Sequence, residues 1–203
     1  MYLVKPSPEH KAAHFSRAGC SLLLLKYKVI TEKSILQRSV LSNIVYRQAT
    51  LADVERCFEI ETSAYEGDEA ATREKIATRI QQYPEGFLCM ERQGEVIGFI
   101  NSGCAWEVVM SDEAFKELVG HDPRAPNVVI MSVVIAPEHQ GKGYSTALME
   151  RFIRQMAQAQ KSAIHLMCKD RHVALYERFG FRYERPSASD HGGMSWHEMS
   201  MAL

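Results

Sequence analysis

The sequence predicts a single α/β (α+β) domain: a mixed, mostly antiparallel sheet with helices on both faces. Three stretches carry this expectation. "NVVIMSVVI", residues 127–135, is a nearly continuous apolar run, as expected of a strand covered on both faces. "GFLCMERQGEVIGFINSGCAW" reads as two strands joined by a turn at Gln93-Gly94, an antiparallel hairpin. Behind "QGKG" an amphipathic helix begins, with Leu148, Phe152 and Met156 on one face and Glu150, Arg154 and Gln158 pointing elsewhere.

The remaining elements follow in order. "IVYRQA", 44–49, is a strand, and Thr50 with Asp53 forms a capping pattern for a helix to about Tyr65. A charged, weakly amphipathic helix covers about 69–82, and Ser111 is a candidate N-cap for a short helix over 111–120. Pro137 ends the apolar strand. "AIHLMC" is a strand, "VALYERFG" a short helix stopped by Gly180, and "FRYER" and "SWHEMSMAL" finish as strands. Most of Tyr183 through His197 is expected to be surface loop.

Composition narrows the class. A chain of 203 residues, 46% hydrophobic, with net charge −1 suits one core and argues against nucleic-acid binding. Residues 1–41 carry seven Lys/Arg and two Glu, which makes them a basic leader expected to pack poorly, apart from the domain at 42–203. Its apolar run "SLLLL" is too short to span a membrane. Five cysteines, an odd number with no C-x-x-C, fit reduced thiols in a cytoplasm better than disulfides or zinc. The histidines His165, His172, His191 and His197 show no metal spacing, so no metal is expected.

The glycine turn is the first chemical signal. It lacks a P-loop pattern and the third glycine of a dinucleotide fingerprint. What remains is Gln140-x-x-Gly143 at a strand-to-helix turn, whose free N–H groups and helix dipole suit a pyrophosphate. A mere tight connection is the bland alternative.

"QGKGYS", 140–145, resembles the acetyl-CoA signature Q/R-x-x-G-x-G/A of the GCN5-related N-acetyltransferases, with Ser145 departing at the last position. "LMCKDRHVALYERFGF" and "FEIETSAY" are similar to the matching segments of arylalkylamine (serotonin) N-acetyltransferases, and the likeness covers about residues 44–203. It implies a sheet splayed at its central strand, with acetyl-CoA as cosubstrate. The pantetheine would pair with backbone at Val133, Val134 and Ile135. The pyrophosphate would lie on Gly141, Lys142, Gly143, Tyr144 and Ser145, with Thr146 beyond them and Gln140 opening the motif. Lys142 either adds charge there or is a solvated lysine.

Tyr176 matches the family's general acid, which protonates the departing thiolate. The two histidines that vertebrate arylalkylamine enzymes place on the preceding strand are Val129 and Met131 here. Glu61 is the base expected instead. It continues the apolar stripe of Val54, Cys57 and Phe58, where a carboxylate needs a partner or a cleft. Direct loss of the proton to water is the other route. The acidic cluster Glu66, Asp68, Glu69 either attracts a cationic amine or is a solvated face. The implied reaction is direct acetyl transfer to a primary amine, an aromatic or apolar one by resemblance. A polyamine, antibiotic or protein amine, or a non-catalytic acyl-CoA sensor, is the alternative.

Overall fold

A computed structural model describes residues 43–65 and 69–203 of the chain. The basic leader and the acidic residues Glu66 and Asp68 lie outside the described residues. Seven strands form one sheet in the order β1-β2-β3-β4-β5-β7-β6. They are β1 (Ile44–Gln48), β2 (Phe87–Arg92), β3 (Glu95–Ala105), β4 (Asn127–Ile135), β5 (Ala163–Cys168), β6 (Arg182–Pro186) and β7 (His197–Ala202). Every neighbouring pair is antiparallel except β4 with β5. The mixed sheet is as expected.

Helices α1 (Val54–Ala64), α2 (Arg73–Gln82), α3 (Tyr144–Gln158) and α4 (Val173–Glu177) complete the domain. On one face Cys57 and Ile60 of α1 and Ile76 and Ile80 of α2 pack with Phe87, Cys89, Phe99 and Val134. Leu88 and Met90, the alternate residues of β2, are buried as well, so both faces of the sheet are covered. The stripe Leu148, Phe152, Met156 of α3 is fully buried against β3 and β4. The β2–β3 hairpin turns at Gln93 (φ 55°) and Gly94 (φ 84°), a pair of left-handed residues matching the twist of the strands.

Four boundaries differ from expectation, each for a local reason. The first helix opens with a 3-10 turn over Leu51–Asp53 before becoming α-helical at Val54. The second starts at Arg73, because the Thr72 side chain accepts the Lys75 N–H and caps it there. The expected helix over 111–120 is a short 3-10 segment, Glu113–Glu117. Asp112 caps it instead of Ser111, and Leu118 stops it at φ 61°. β6 runs one residue further, to Pro186, and β7 starts at His197 rather than Ser195, so Ser195 and Trp196 belong to the connecting loop. Gly180 does close α4: its N–H bonds the Glu177 carbonyl and the Phe181 N–H bonds that of Tyr176.

Asp53 ties β1 to the start of α1. Its carboxylate takes two hydrogen bonds at 2.8 Å from the Arg47 guanidinium, and others from the Thr50 N–H and hydroxyl. Arg47, seconded by Thr50, holds its pKa down to about 2 against the effect of burial. A depressed folded pKa contributes stability that is complete above about pH 4 and lost as pH falls through the folded value. Asp53→Asn is expected to cost roughly 1–2 kcal/mol at neutral pH, the partly exposed guanidinium keeping the figure modest. The difference in Tm from wild type should shrink as pH is lowered from about 4 to about 2.

Candidate active site

The site begins with an interrupted strand pairing. β4 runs beside β3 along its whole length, but it pairs with β5 only from Asn127 to Val129. Beyond Val129 the two parallel strands separate. Strand residues alternate in the direction of their backbone groups. The Ala136 N–H bonds the Ile97 carbonyl on the β3 side, whereas Val133 and Ile135 turn toward the gap. There the Val133 N–H reaches the Tyr65 hydroxyl at 3.5 Å, and the Ile135 carbonyl accepts from the Gln140 amide at 2.9 Å. By the same alternation Val134 gives its backbone to β3 and its side chain to the core.

The gap widens into a cavity of about 510 Å³. Val133, Val134 and Ile135 form one wall, Met167 and Cys168 face them, and Gln140, Gly141, Tyr144 and Ser145 lie at one end. Gly141 and Gly143 have φ of 72° and 83°, left-handed values that suit glycine. Gly143 is the N-cap of α3 and carries no side chain to cap the helix start. Lys142, Gly143 and Thr146 belong to this turn and helix start but are not among the cavity's walls. The Lys142 ammonium bonds the Glu138 carbonyl at 2.7 Å. Tyr176, on α4, lines the same cavity. Its phenol meets Phe181 edge-on, and burial pushes its pKa up, so it stays protonated. Burial likewise raises Cys168 to about 11 and keeps it a thiol.

A second cavity, of about 150 Å³, opens on the other side of Tyr65, Met167 and Trp196, which line both. Glu61 belongs to this one alone and is 1% exposed. Its Oε1 accepts from the Ser132 hydroxyl at 2.8 Å and the Ala71 N–H at 3.1 Å. Its Oε2 is buried with no hydrogen-bond partner among the described residues. Burial raises its pKa; Ser132, the Ala71 N–H and the buried Arg79 oppose that rise without cancelling it. Arg79 is anchored by the Lys116 carbonyl and the Asn101 side chain. Burial thus favours the protonated form, and this carboxylate takes up a proton more readily than a solvated one.

Helix periodicity places Glu61 on its stripe, but the sequence gives no sign of Ser132 as its partner. Tyr65 extends the stripe visibly, whereas Trp196 reaches the junction from a loop, where no periodicity operates. His191 lines the smaller cavity and His172 the larger, while Val129 and Met131 are apolar walls of the smaller. Among the described residues no three His, Cys, Asp or Glu side chains converge as a metal site would require, and no helix is long and apolar enough to cross a membrane.

Residues 54–181 match the model of the "Acetyltransferase (GNAT) family". The chain belongs to this family. It is an acetyl-CoA-dependent N-acetyltransferase. The serotonin N-acetyltransferase of Macaca mulatta is 29% identical over 179 residues, 84% of each chain. Among solved structures, the loading GNATL domain of CurA from Lyngbya majuscula superposes with TM-score 0.70 at 16% identity, over 78% of this chain and 97% of that one. YncA from Salmonella typhimurium, solved with its cofactor acetyl-CoA, gives TM-score 0.59 at 22% identity, over 79% and 94%. These two likenesses speak for the GNAT fold.

The raised pKa of Glu61 has a measurable consequence for this acetyltransferase. The fold favours the neutral carboxyl, so its contribution to stability is full below the unfolded pKa and is lost as pH rises through the folded one. Glu61→Gln does not ionise. Its Tm relative to wild type, followed by calorimetry, is expected to rise as pH is taken upward from the ordinary carboxylate range.

Proposed function

We propose that the larger cavity holds acetyl-CoA and the smaller one a small primary amine with an aromatic or apolar body, and that the thioester sits at the junction of Tyr65, Met167 and Trp196. One observation carries this reading: the two proton-handling groups stand on opposite sides of that junction, Glu61 in the smaller cavity and Tyr176 in the larger. The pantetheine bonds the gap-facing backbone of Val133 and Ile135. The pyrophosphate takes N–H groups between Gly141 and Thr146 at the start of α3, and Lys142 lies beside it. The amine arrives as an ammonium, and Glu61 accepts its proton. The freed lone pair attacks the acetyl carbon; the C–N bond forms, the C–S bond breaks, and Tyr176 protonates the leaving thiolate.

The acceptor's size and character follow from the smaller cavity. At about 150 Å³ it is the size of a protein cavity that takes up benzene. Phe115, Val129, Met131, Met167 and Trp196 give it apolar walls, which favours a compact amine over the amino group of a folded protein. Similarity to the serotonin enzyme of Macaca mulatta points the same way. A cytoplasmic setting accords with the buried free thiols among the described residues, Cys57, Cys89, Cys104 and Cys168.

A panel of amines scored by release of free CoA tests the acceptor class; turnover confined to polyamines or protein amino groups would contradict it. With the best acceptor, Tyr176→Phe is expected to lower kcat roughly 100-fold while the Kd for acetyl-CoA stays at the wild-type value. Glu61→Gln removes the acidic limb of the rate–pH profile, because that limb is the ionisation of the base. Wild-type kcat in Tyr176→Phe, or an unchanged profile in Glu61→Gln, would return that residue to a packing role.

A further inference from the structure

The smaller cavity contains a second carboxylate that the reaction above does not use. The Glu69 side chain is 5% exposed, and its Oε1 takes the Lys169 ammonium at 2.8 Å. Its Oε2 is buried without a hydrogen-bond partner among the described residues, as is Oε2 of Glu61, and both side chains line the same cavity. The two are held close together. The Ala71 N–H that bonds Glu61 lies two residues from Glu69, at most about 7 Å of extended chain. The loop after β6 is built to cover this carboxylate. Gly192 has φ 61°, and a Cβ there would stand 2.5 Å from Glu69 Cγ, so only glycine lets the loop close on it.

Lys169 accounts for one oxygen of Glu69, as Ser132 and Ala71 do for one of Glu61. Each carboxylate also has a cation beside it, Lys169 for Glu69 and Arg79 for Glu61, yet each keeps one buried oxygen without a hydrogen-bond partner among the described residues. Buried acceptors are nearly always satisfied, and two on one small apolar-walled space fit a compact group with several donors. An alkylammonium is such a group, with three N–H bonds on one nitrogen.

We infer that Glu69 is the positioning residue for the acceptor amine: its Oε2 holds one N–H of the ammonium while Glu61 Oε2 takes the proton of another. The inference rests on the smaller cavity being the acceptor site. After deprotonation Glu69 still holds one of the two remaining N–H groups, which keeps the amine nitrogen in the cavity while it attacks the thioester. Specificity for a cation over a neutral molecule of the same shape then depends on Glu69.

The test uses 2-phenylethylamine as acceptor and 2-phenylethanol, its neutral isostere, as competitor. Glu69→Gln keeps the volume but turns the free acceptor into a donor. It is expected to raise KM and Kd for the amine roughly tenfold or more, with the loss on KM rather than kcat and binding of the alcohol unchanged. Lys169→Met removes the ion pair but leaves the carboxylate, so the amine Kd should not rise. An amine Kd unaffected by Glu69→Gln, or raised as much by Lys169→Met, would overturn the inference and make Glu69 a loop anchor. Preferential, Glu69-dependent amine binding without acetylation would remove the acceptor-site reading and leave the ammonium grip standing.

Discussion

The separation of β4 from β5 after Val129 is the constraint on which the molecule's chemistry depends. Two parallel strands that stop pairing leave backbone N–H and C=O groups inside the domain, and such groups need partners. Here part of the chain supplies them: the Tyr65 hydroxyl at Val133 and the Gln140 amide at Ile135. The rest of the gap is a cavity. The same separation brings the start of α3 to one end of that cavity and α4, with Tyr176, to its side. A sheet continuous across β4 and β5 would have no room for this cavity, which is the acetyl-CoA site in the function proposed here.

Charge is distributed across the gap with a consistent logic. The walls of the smaller cavity include the ions Glu61, Glu69, Arg79 and Lys116 beside apolar side chains such as Phe115, Val129 and Met131. Burial makes each of these ions expensive alone, and each has a partner: Ser132 for Glu61, Lys169 for Glu69, the Lys116 carbonyl for Arg79 and Glu113 for Lys116. On the larger cavity burial instead raises the pKa of Tyr176 and Cys168, and of Tyr65 at the junction, so all three stay neutral. A carboxyl group with a raised pKa, Glu61, and a phenol that retains its proton, Tyr176, thus line the two cavities that meet at Tyr65, Met167 and Trp196.

Much of this was legible in the chain, for reasons that differ by element. The unbroken apolar run of β4, the Gln93-Gly94 turn and the stripe of α3 are local patterns, and the fold follows them closely. Helix starts were less legible because single side chains decide them: Thr72 and Asp112 win the capping positions over neighbours with similar propensity. Glu61 was visible as a carboxylate on an apolar stripe. Its hydrogen bond to Ser132, 71 residues away in sequence, was not, because no local pattern encodes a contact between α1 and the middle of β4. The same holds for Trp196 and Glu69, which are brought to the cavity by loops. Glu69 resembled the rest of a solvated acidic cluster until the Lys169 pair and the bare Gly192 beside it were seen.

Amide hydrogen exchange, compared with and without acetyl-CoA, tests the central claim most directly. If the unpaired edge of β4 is where the cofactor docks, exchange at Val133 and Ile135 and across Gly141 to Thr146 should slow markedly when acetyl-CoA is added. Val134, already turned to β3, should change much less. Equal exchange at Val133 and Ile135 in both states, with protection confined to another part of the surface, would contradict the account.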